Sequence, residues 1–423
     1  MDKFIIHGGR NLKGEVRISG AKNASLALMP ATLLAGGTYK LGNTPRLRDV
    51  TTMINLLESM GMTFEFKDHT LAVDSSRISN YEAPYEHVKK MRASVYVLGP
   101  LISRFGFARV SLPGGCAWGP RPVNLHIEGL RKLGADIQLD GGYIVAKARR
   151  LIGARVLFDI SSVGATGNIL MAASLAQGST IIENAAMEPE ITSLAELLVK
   201  MGAHIDGIGT SRIEIEGVTD LHPADVTTIP DRIEAGTMLI AAAIAGEPGN
   251  KVRISQCNPK HFGAITAKLE DAGARLTIGK DFVELEPPAE IRPVNVTTAI
   301  YSGFPTDMQA QWIALMSLAA GTAVVTDTIY FDRFTHVPEL MRLGADITLK
   351  ENVATVIGRP ALTGAKVMST DLRASASLIL AGLAAEGTTE VLRVYHIDRG
   401  YEQFEKKLQL LGADIQRVAG EEF

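Results

Sequence analysis

The residues of this chain that could do chemistry are few, and they gather where loops run into helices. The stretch Ser111 to His126, SLPGGCAWGPRPVNLH, sets Cys116 behind two glycines and ahead of Arg121. Glycines before a thiol give a loop hinge freedom, and a nearby guanidinium favours the thiolate. The segment reads as an active-site lid that carries an acid or a nucleophile. The other of the two cysteines, Cys257 in ISQCNPKHF, has no such setting and reads as structural. Polar residues open helices that are otherwise rich in alanine: Lys22 and Asn23, Arg92, Ser162 to Gly164, Asp231, Thr306 with Asp307, and Asp371 with Arg373. Further cations stand in loops at Arg121, Arg333 and Arg399. Helix N-termini favour anions, and arginine forks match carboxylate and phosphate oxygens. A cleft holding Lys22, Arg121 and Arg399 suits a small ligand with phosphate, carboxylate or both. Each feature also has a plainer reading. An aspartate at a helix start can be only an N-cap, and a lone arginine only a solvated side chain. SSVGATGN, from Ser161, suits a phosphate cradle but lacks the Lys-Ser/Thr pair of a P-loop.

These positions hang on a repeat. The pattern runs LLESMGMTF, LRKLGADI, LLVKMGAHI, LEDAGARL, LMRLGADI and LQLLGADI, with central glycines at Gly61, Gly134, Gly202, Gly273, Gly344 and Gly412. Its period is about 70 residues, too long for an ordinary solenoid repeat. A leucine stands four residues before each glycine and an apolar residue follows it. That pairing fits a Schellman cap closed by a hydrophobic contact. Alternating segments such as ADIQL-DGG-YIVA then predict β-hairpins. Upstream of most copies lies a helix apolar on nearly all sides, such as GATGNILMAASLAQGST, which predicts deep burial. The unit is therefore helix, strand, helix, hairpin. Six units divide into three plus three, which predicts an α/β protein of two similar lobes with helices inside and sheets outside. One lobe is expected over 22–229. The other combines 230–423 with strands from 1–21 that complete it, giving two crossing connections.

Bulk composition narrows the classes. The chain has 423 residues, 46% of them hydrophobic, as in a globular protein of two or three domains. A net charge of −3 without a basic run disfavours nucleic acid. Two cysteines make no disulfide framework, and no leader-like or membrane-length apolar run is visible. A cytoplasmic protein with no membrane partner is expected.

The repeat and its motifs resemble the enolpyruvyl transferase family, whose fold is a two-lobed inside-out α/β barrel. The matching segments are SGAKNASL, MRASVYVLGPL, LPGGCAWGPRPVNLH, SSVGATGN, ENAAMEPEI, IPDRIEAGT, GFPTDMQAQ, DRFTHVPEL, TDLRASASL and YHIDRGYE. They follow one order from residue 19 to residue 402 and resemble the branch that acts on UDP-N-acetylglucosamine. The resemblance implies two substrates, phosphoenolpyruvate and UDP-N-acetylglucosamine, and neither metal nor cofactor. It implies that Lys22, Arg121 and Arg399 clamp phosphoenolpyruvate. Cys116 would serve as acid or covalent nucleophile, and Asp307 as base at the sugar hydroxyl. Asn23 would steady the intermediate. Arg92, Arg121, Pro122, Val123, Asn124, Leu125, Ser162, Val163, Gly164 and Ile329 would hold the nucleotide sugar. Asp371 and Arg373 would help close the cleft, with Asp231 and Arg333 lining it. Two positions depart from the family pattern, both toward the nucleotide end. Ile160 replaces a lysine before SVG, and Asn124 replaces an aspartate in RPVNL. The alternatives are a transferase resembling 5-enolpyruvylshikimate-3-phosphate synthase and a catalytically silent relative that binds the nucleotide sugar. A nucleic-acid end cyclase is disfavoured by the charge.

Overall fold

The computed structural model describes residues 2–9, 11–89, 91–113 and 123–420. Its contacts divide the chain into two compact units, Met1–Ser19 with Pro230–Phe423, and Gly20–Ile229. Each has its own hydrophobic core.

The repeat glycines do what their spacing predicts. All six lie at positive φ, from +90° at Gly134 to +107° at Gly202. The N–H after each glycine donates to the carbonyl of the conserved-spacing leucine, as from Met62 to Leu57 (3.3 Å), Ala203 to Leu198 (2.9 Å) and Ala413 to Leu408 (3.0 Å). The glycine N–H donates one turn earlier, as from Gly134 to Arg131 at 2.9 Å. That pair of bonds is the Schellman motif, and it turns each outer helix into its hairpin.

Each unit is built of inner helices and outer sheets. The inner helices begin at Lys22, Leu98 and Val163 in one unit, and at Arg232, Gln309 and Leu372 in the other. Their alanine-rich sequences let backbones approach closely, and Arg232–Ala245 and Leu372–Ala384 are buried along almost their whole length. Among the described residues, six four-stranded sheets cover them. In one, Phe107–Ser111 pairs antiparallel with Tyr143–Lys147, which pairs with Asp136–Asp140. The sixth sheet takes Asp2–His7 between Thr388–Leu392 and Asp414–Ala419, while Gly14–Arg17 lies parallel to Val252–Ser255. The predicted repeat lacks one element. Each sheet gains a short parallel edge strand, as small as Val226–Thr227 or Glu82–Ala83.

Among the described residues no helix is long and apolar enough to cross a membrane, and no cluster of His, Cys, Asp or Glu could hold a metal ion.

Candidate active site

The predicted site residues fall on both units. In the unit Gly20–Ile229, Lys22 opens the helix Lys22–Ala31, which has no capping side chain. Its Nζ lies 2.7 Å from Asp49 Oδ2, with the two side chains 13% and 4% exposed. Asp49 sits in the first turn of the helix Arg48–Glu58. Desolvating such a pair costs about what its attraction returns, so it holds the lysine in place more than it stabilises the fold. Asn23 follows on the same turn, half-buried. Val123 is buried, while Asn124 and Leu125 open the helix Asn124–Lys132. Cys116, Arg121 and Pro122 lie outside the described residues.

Ser162 caps the helix Val163–Ala173, accepting from the Ala165 N–H at 3.3 Å. Gly164 rests on His126, since a Cβ there would sit 3.0 Å from His126 Cε1. His126 is buried, and its tautomer follows from its neighbours. The Gly99 N–H donates to Asn168 Oδ1 at 2.7 Å, so Asn168 Nδ2 must be the donor to His126 Nδ1, also at 2.7 Å. The imidazole proton is then on Nε2. Burial, helped by the charge of Arg92, pushes the imidazole pKa down to about 3, so the ring is neutral. Ile160, just upstream, is 70% exposed.

The other unit holds the strongest cluster. Asp307 accepts from Arg373 Nη2 at 2.6 Å and pairs with Arg333 Nη2 at 2.8 Å. Burial alone would raise its carboxyl, but Arg373 and Arg333 outweigh burial and hold it well below the usual carboxylate range. For Arg373 burial works downward, and Asp307 more than reverses it. Arg373 Nη1 also donates to Tyr401 Oη at 3.2 Å, and Arg333 Nη1 to Thr306 Oγ1 at 3.1 Å.

Three aspartates looked alike in sequence, and the structure separates them. Asp231 caps its helix through Ile233 N at 2.8 Å and Glu234 N at 3.0 Å. Asp371 does the same through Arg373 N at 2.8 Å. Asp307 caps nothing and faces two guanidinium groups instead. Arg399 ends the 3-10 turn Val394–Arg399 and is half-buried.

A second organising residue, besides Asp49, was not singled out from sequence. Asp327 is fully buried and accepts from Thr298 Oγ1 and Thr306 Oγ1, each at 2.7 Å, and from the N–H groups of Ile329 and Tyr330, each at 2.9 Å. It therefore fixes the backbone at Ile329 and the hydroxyl beside Asp307. The only local signal was an Asx-type turn after the strand Thr322–Thr326. Cys257 is buried, and burial pushes its thiol up to about 11, an inert thiol.

A six-repeat fold with helices inside, and a carboxylate set between arginines at a helix start, place this chain in a class of proteins. The chain belongs to the EPSP synthase (3-phosphoshikimate 1-carboxyvinyltransferase) family, whose model matches residues 6–408. Within that class it is 58% identical over 426 residues to a UDP-N-acetylglucosamine 1-carboxyvinyltransferase of Chloroherpeton thalassium, covering 100% of this chain and 99% of the relative. A protein of the same name from Geotalea daltonii is 55% identical over 418 residues, covering 99% and 100%. The enolpyruvyl transferase NikO of Streptomyces tendae superposes with a TM-score of 0.90 at 28% identity, over 99% of both chains. An EPSP synthase of Acinetobacter baumannii, at a TM-score of 0.76 and 19% identity, covers 99% of this chain and all of its own, and shares the fold. The expected enolpyruvyl transferase architecture is thus the observed one.

Proposed function

We propose that this chain transfers the enolpyruvyl group of phosphoenolpyruvate to the 3-hydroxyl of UDP-N-acetylglucosamine and releases phosphate, the first committed step toward peptidoglycan precursors in the cytoplasm. The observation that carries the reading is the Asp307 carboxylate gripped by Arg333 and Arg373 at the start of an inner helix. The full-length likeness to proteins bearing that activity's name supports the choice of acceptor.

The chemistry asks for an acid and a base about one carbon. An enol phosphate is a weak electrophile until its methylene takes a proton, which makes C2 cationic. In this reading Cys116 supplies that proton and Lys22, Arg121 and Arg399 hold the phosphate and carboxylate. The sugar hydroxyl adds to C2, and Asp307 accepts its proton. Asp307 is a weak base, because its arginines stabilise the carboxylate. A weak base suffices, since a hydroxyl becomes strongly acidic as its oxygen bonds to a cationic carbon. Elimination then removes a proton from the former methylene, breaks the C2–O bond to phosphate and restores the double bond. Asn23 steadies the tetrahedral intermediate. Arg92, Val123 to Leu125, Ser162 to Gly164 and Ile329 take the nucleotide sugar, and Asp231 and Asp371 hold the helix starts around it. Two glycines precede Cys116 in the sequence, so in this reading its thiol arrives after the substrates and keeps water from the cationic carbon.

The test is phosphate release from phosphoenolpyruvate by the pure protein. Release should require UDP-N-acetylglucosamine and should not occur with shikimate 3-phosphate. Release with shikimate 3-phosphate alone would transfer the reading to the sibling activity, and no release with either acceptor would leave a silent relative.

A further inference from the structure

The unit Met1–Ser19 with Pro230–Phe423 contains a cavity of about 240 Å³ that the reaction above does not use. It is lined by Arg232, Lys260, His261, Gly263, Tyr301 and Pro305 among others, and among the described residues none of the lining is acidic. Lys260 is exposed and forms no ion pair among the described residues. The Arg232 guanidinium lies 5.6 Å from the centre of the Tyr301 ring.

His261 adds an unpaired donor. The Lys260 N–H donates to Asn258 Oδ1 at 3.2 Å, so Asn258 Nδ2 is the donor to His261 Nε2 at 2.9 Å. The imidazole proton is therefore on Nδ1, which is buried and has no hydrogen-bond partner. Behind it the helix Gly263–Asp271 continues from the 3-10 turn Pro259–Phe262 and has no capping side chain.

The repeat supplies an independent reason to expect an anion here. Lys260 stands 13 residues before its repeat glycine, Gly273. Arg121 stands 13 before Gly134, and Arg399 13 before Gly412. The fourth repeat thus carries a cation at the register where the second and sixth carry the arginines assigned to the phosphoenolpyruvate clamp. That comparison rests on the reading above, whereas the cavity and its charges do not.

We propose that this cavity is a second anion site, which binds the phosphate head of a small phosphomonoester whose flat organic part lies along Tyr301. Arg232 and Lys260 supply the charge. Pro305 in its wall leads directly into Thr306 and Asp307, and Arg232 directly follows Asp231, so an occupant touches the segments that carry two residues of the proposed active site.

The probe is phenyl phosphate, measured by equilibrium dialysis on the full chain. Wild-type protein should show two classes of site. Lys260→Ala should weaken one class by at least about tenfold, the loss of one charge-assisted contact, and leave the other unchanged. Gly263→Asp is the second variant. A Cβ there meets no atom within 4 Å, and an acidic residue suits a helix start, so the fold is preserved while the new carboxylate repels the probe. It should abolish the same class. Lys22→Ala should affect only the other class. Isotherms unchanged in Lys260→Ala and Gly263→Asp, or all binding lost in Lys22→Ala, would overturn the proposal. Because binding is read without turnover, an empty cavity leaves the transferase reading intact, and an inactive transferase leaves this measurement interpretable.

Discussion

Replacing Asp307 by alanine separates its two jobs, which the geometry lets us weigh. As a proton acceptor it touches the reacting hydroxyl in the proposed mechanism, and losing such a group typically costs about 10²–10⁴-fold in turnover. As a counter-ion it holds Arg373 at 2.6 Å and Arg333 at 2.8 Å, side chains only 7% and 16% exposed. Removing one partner of a buried pair costs about 3–5 kcal/mol, because the other charge is stranded. The Asp307 side chain is 24% exposed, so water can replace part of the lost contact, and about 2–3 kcal/mol is the better figure. Asp307→Ala should therefore lower the thermal midpoint by several degrees and abolish most turnover. UDP-N-acetylglucosamine affinity, measured by calorimetry, should stay nearly intact. Asp307→Asn keeps an acceptor oxygen for the guanidinium groups and should recover part of the stability but little of the rate. Turnover within a few-fold of wild type in either variant would remove Asp307 from the proton path. A stable Asp307→Ala with unshifted midpoint would refute the ion-pair reasoning.

Three further outcomes are expected. Asp327→Ala removes the acceptor for two hydroxyls and two N–H groups, so calorimetry should show weakened nucleotide-sugar binding and chemical denaturation a stability loss of about 2–4 kcal/mol, both partly restored in Asp327→Asn. His126 stays neutral in the fold down to about pH 3, while the unfolded chain takes up that proton near pH 6.5. Its contribution is full above pH 6.5 and is lost toward pH 3 at about 1.4 kcal/mol per pH unit, and His126→Gln should flatten that part of a denaturation series. Fosfomycin, an epoxide, should add its mass to the peptide carrying Cys116 and spare Cys257, whose thiol is buried and weakly acidic; a tag on Cys257 would reverse that assignment.

Much of the fold was legible because its signals are local. A leucine, a glycine and an apolar residue at fixed spacing specify a helix end, and Leu130, Gly134 and Ala135 need no partner from elsewhere in the chain to do so. The edge strands other than Gly14–Arg17 were not legible. Val226–Thr227 is too short to show alternation, and only its parallel partner Thr38–Gly42, far away in sequence, makes it a strand. The site divides the same way. Asp231, Asp307 and Asp371 share one local pattern, yet two of them cap helices and the third faces Arg373, 66 residues away. Asp49 and Asp327 were overlooked because a lone acid says nothing until the fold brings Lys22 or Thr298 to it.

The central claim is that this chain joins an enolpyruvyl group to UDP-N-acetylglucosamine, and the most direct measurement is the identity of the product. After incubation with phosphoenolpyruvate and both candidate acceptors together, mass spectrometry should find UDP-N-acetylglucosamine heavier by one carboxyvinyl group, with the new ether at the 3-oxygen by NMR. A carboxyvinyl group on shikimate 3-phosphate, or an unmodified nucleotide sugar after phosphate has been released, would contradict the account.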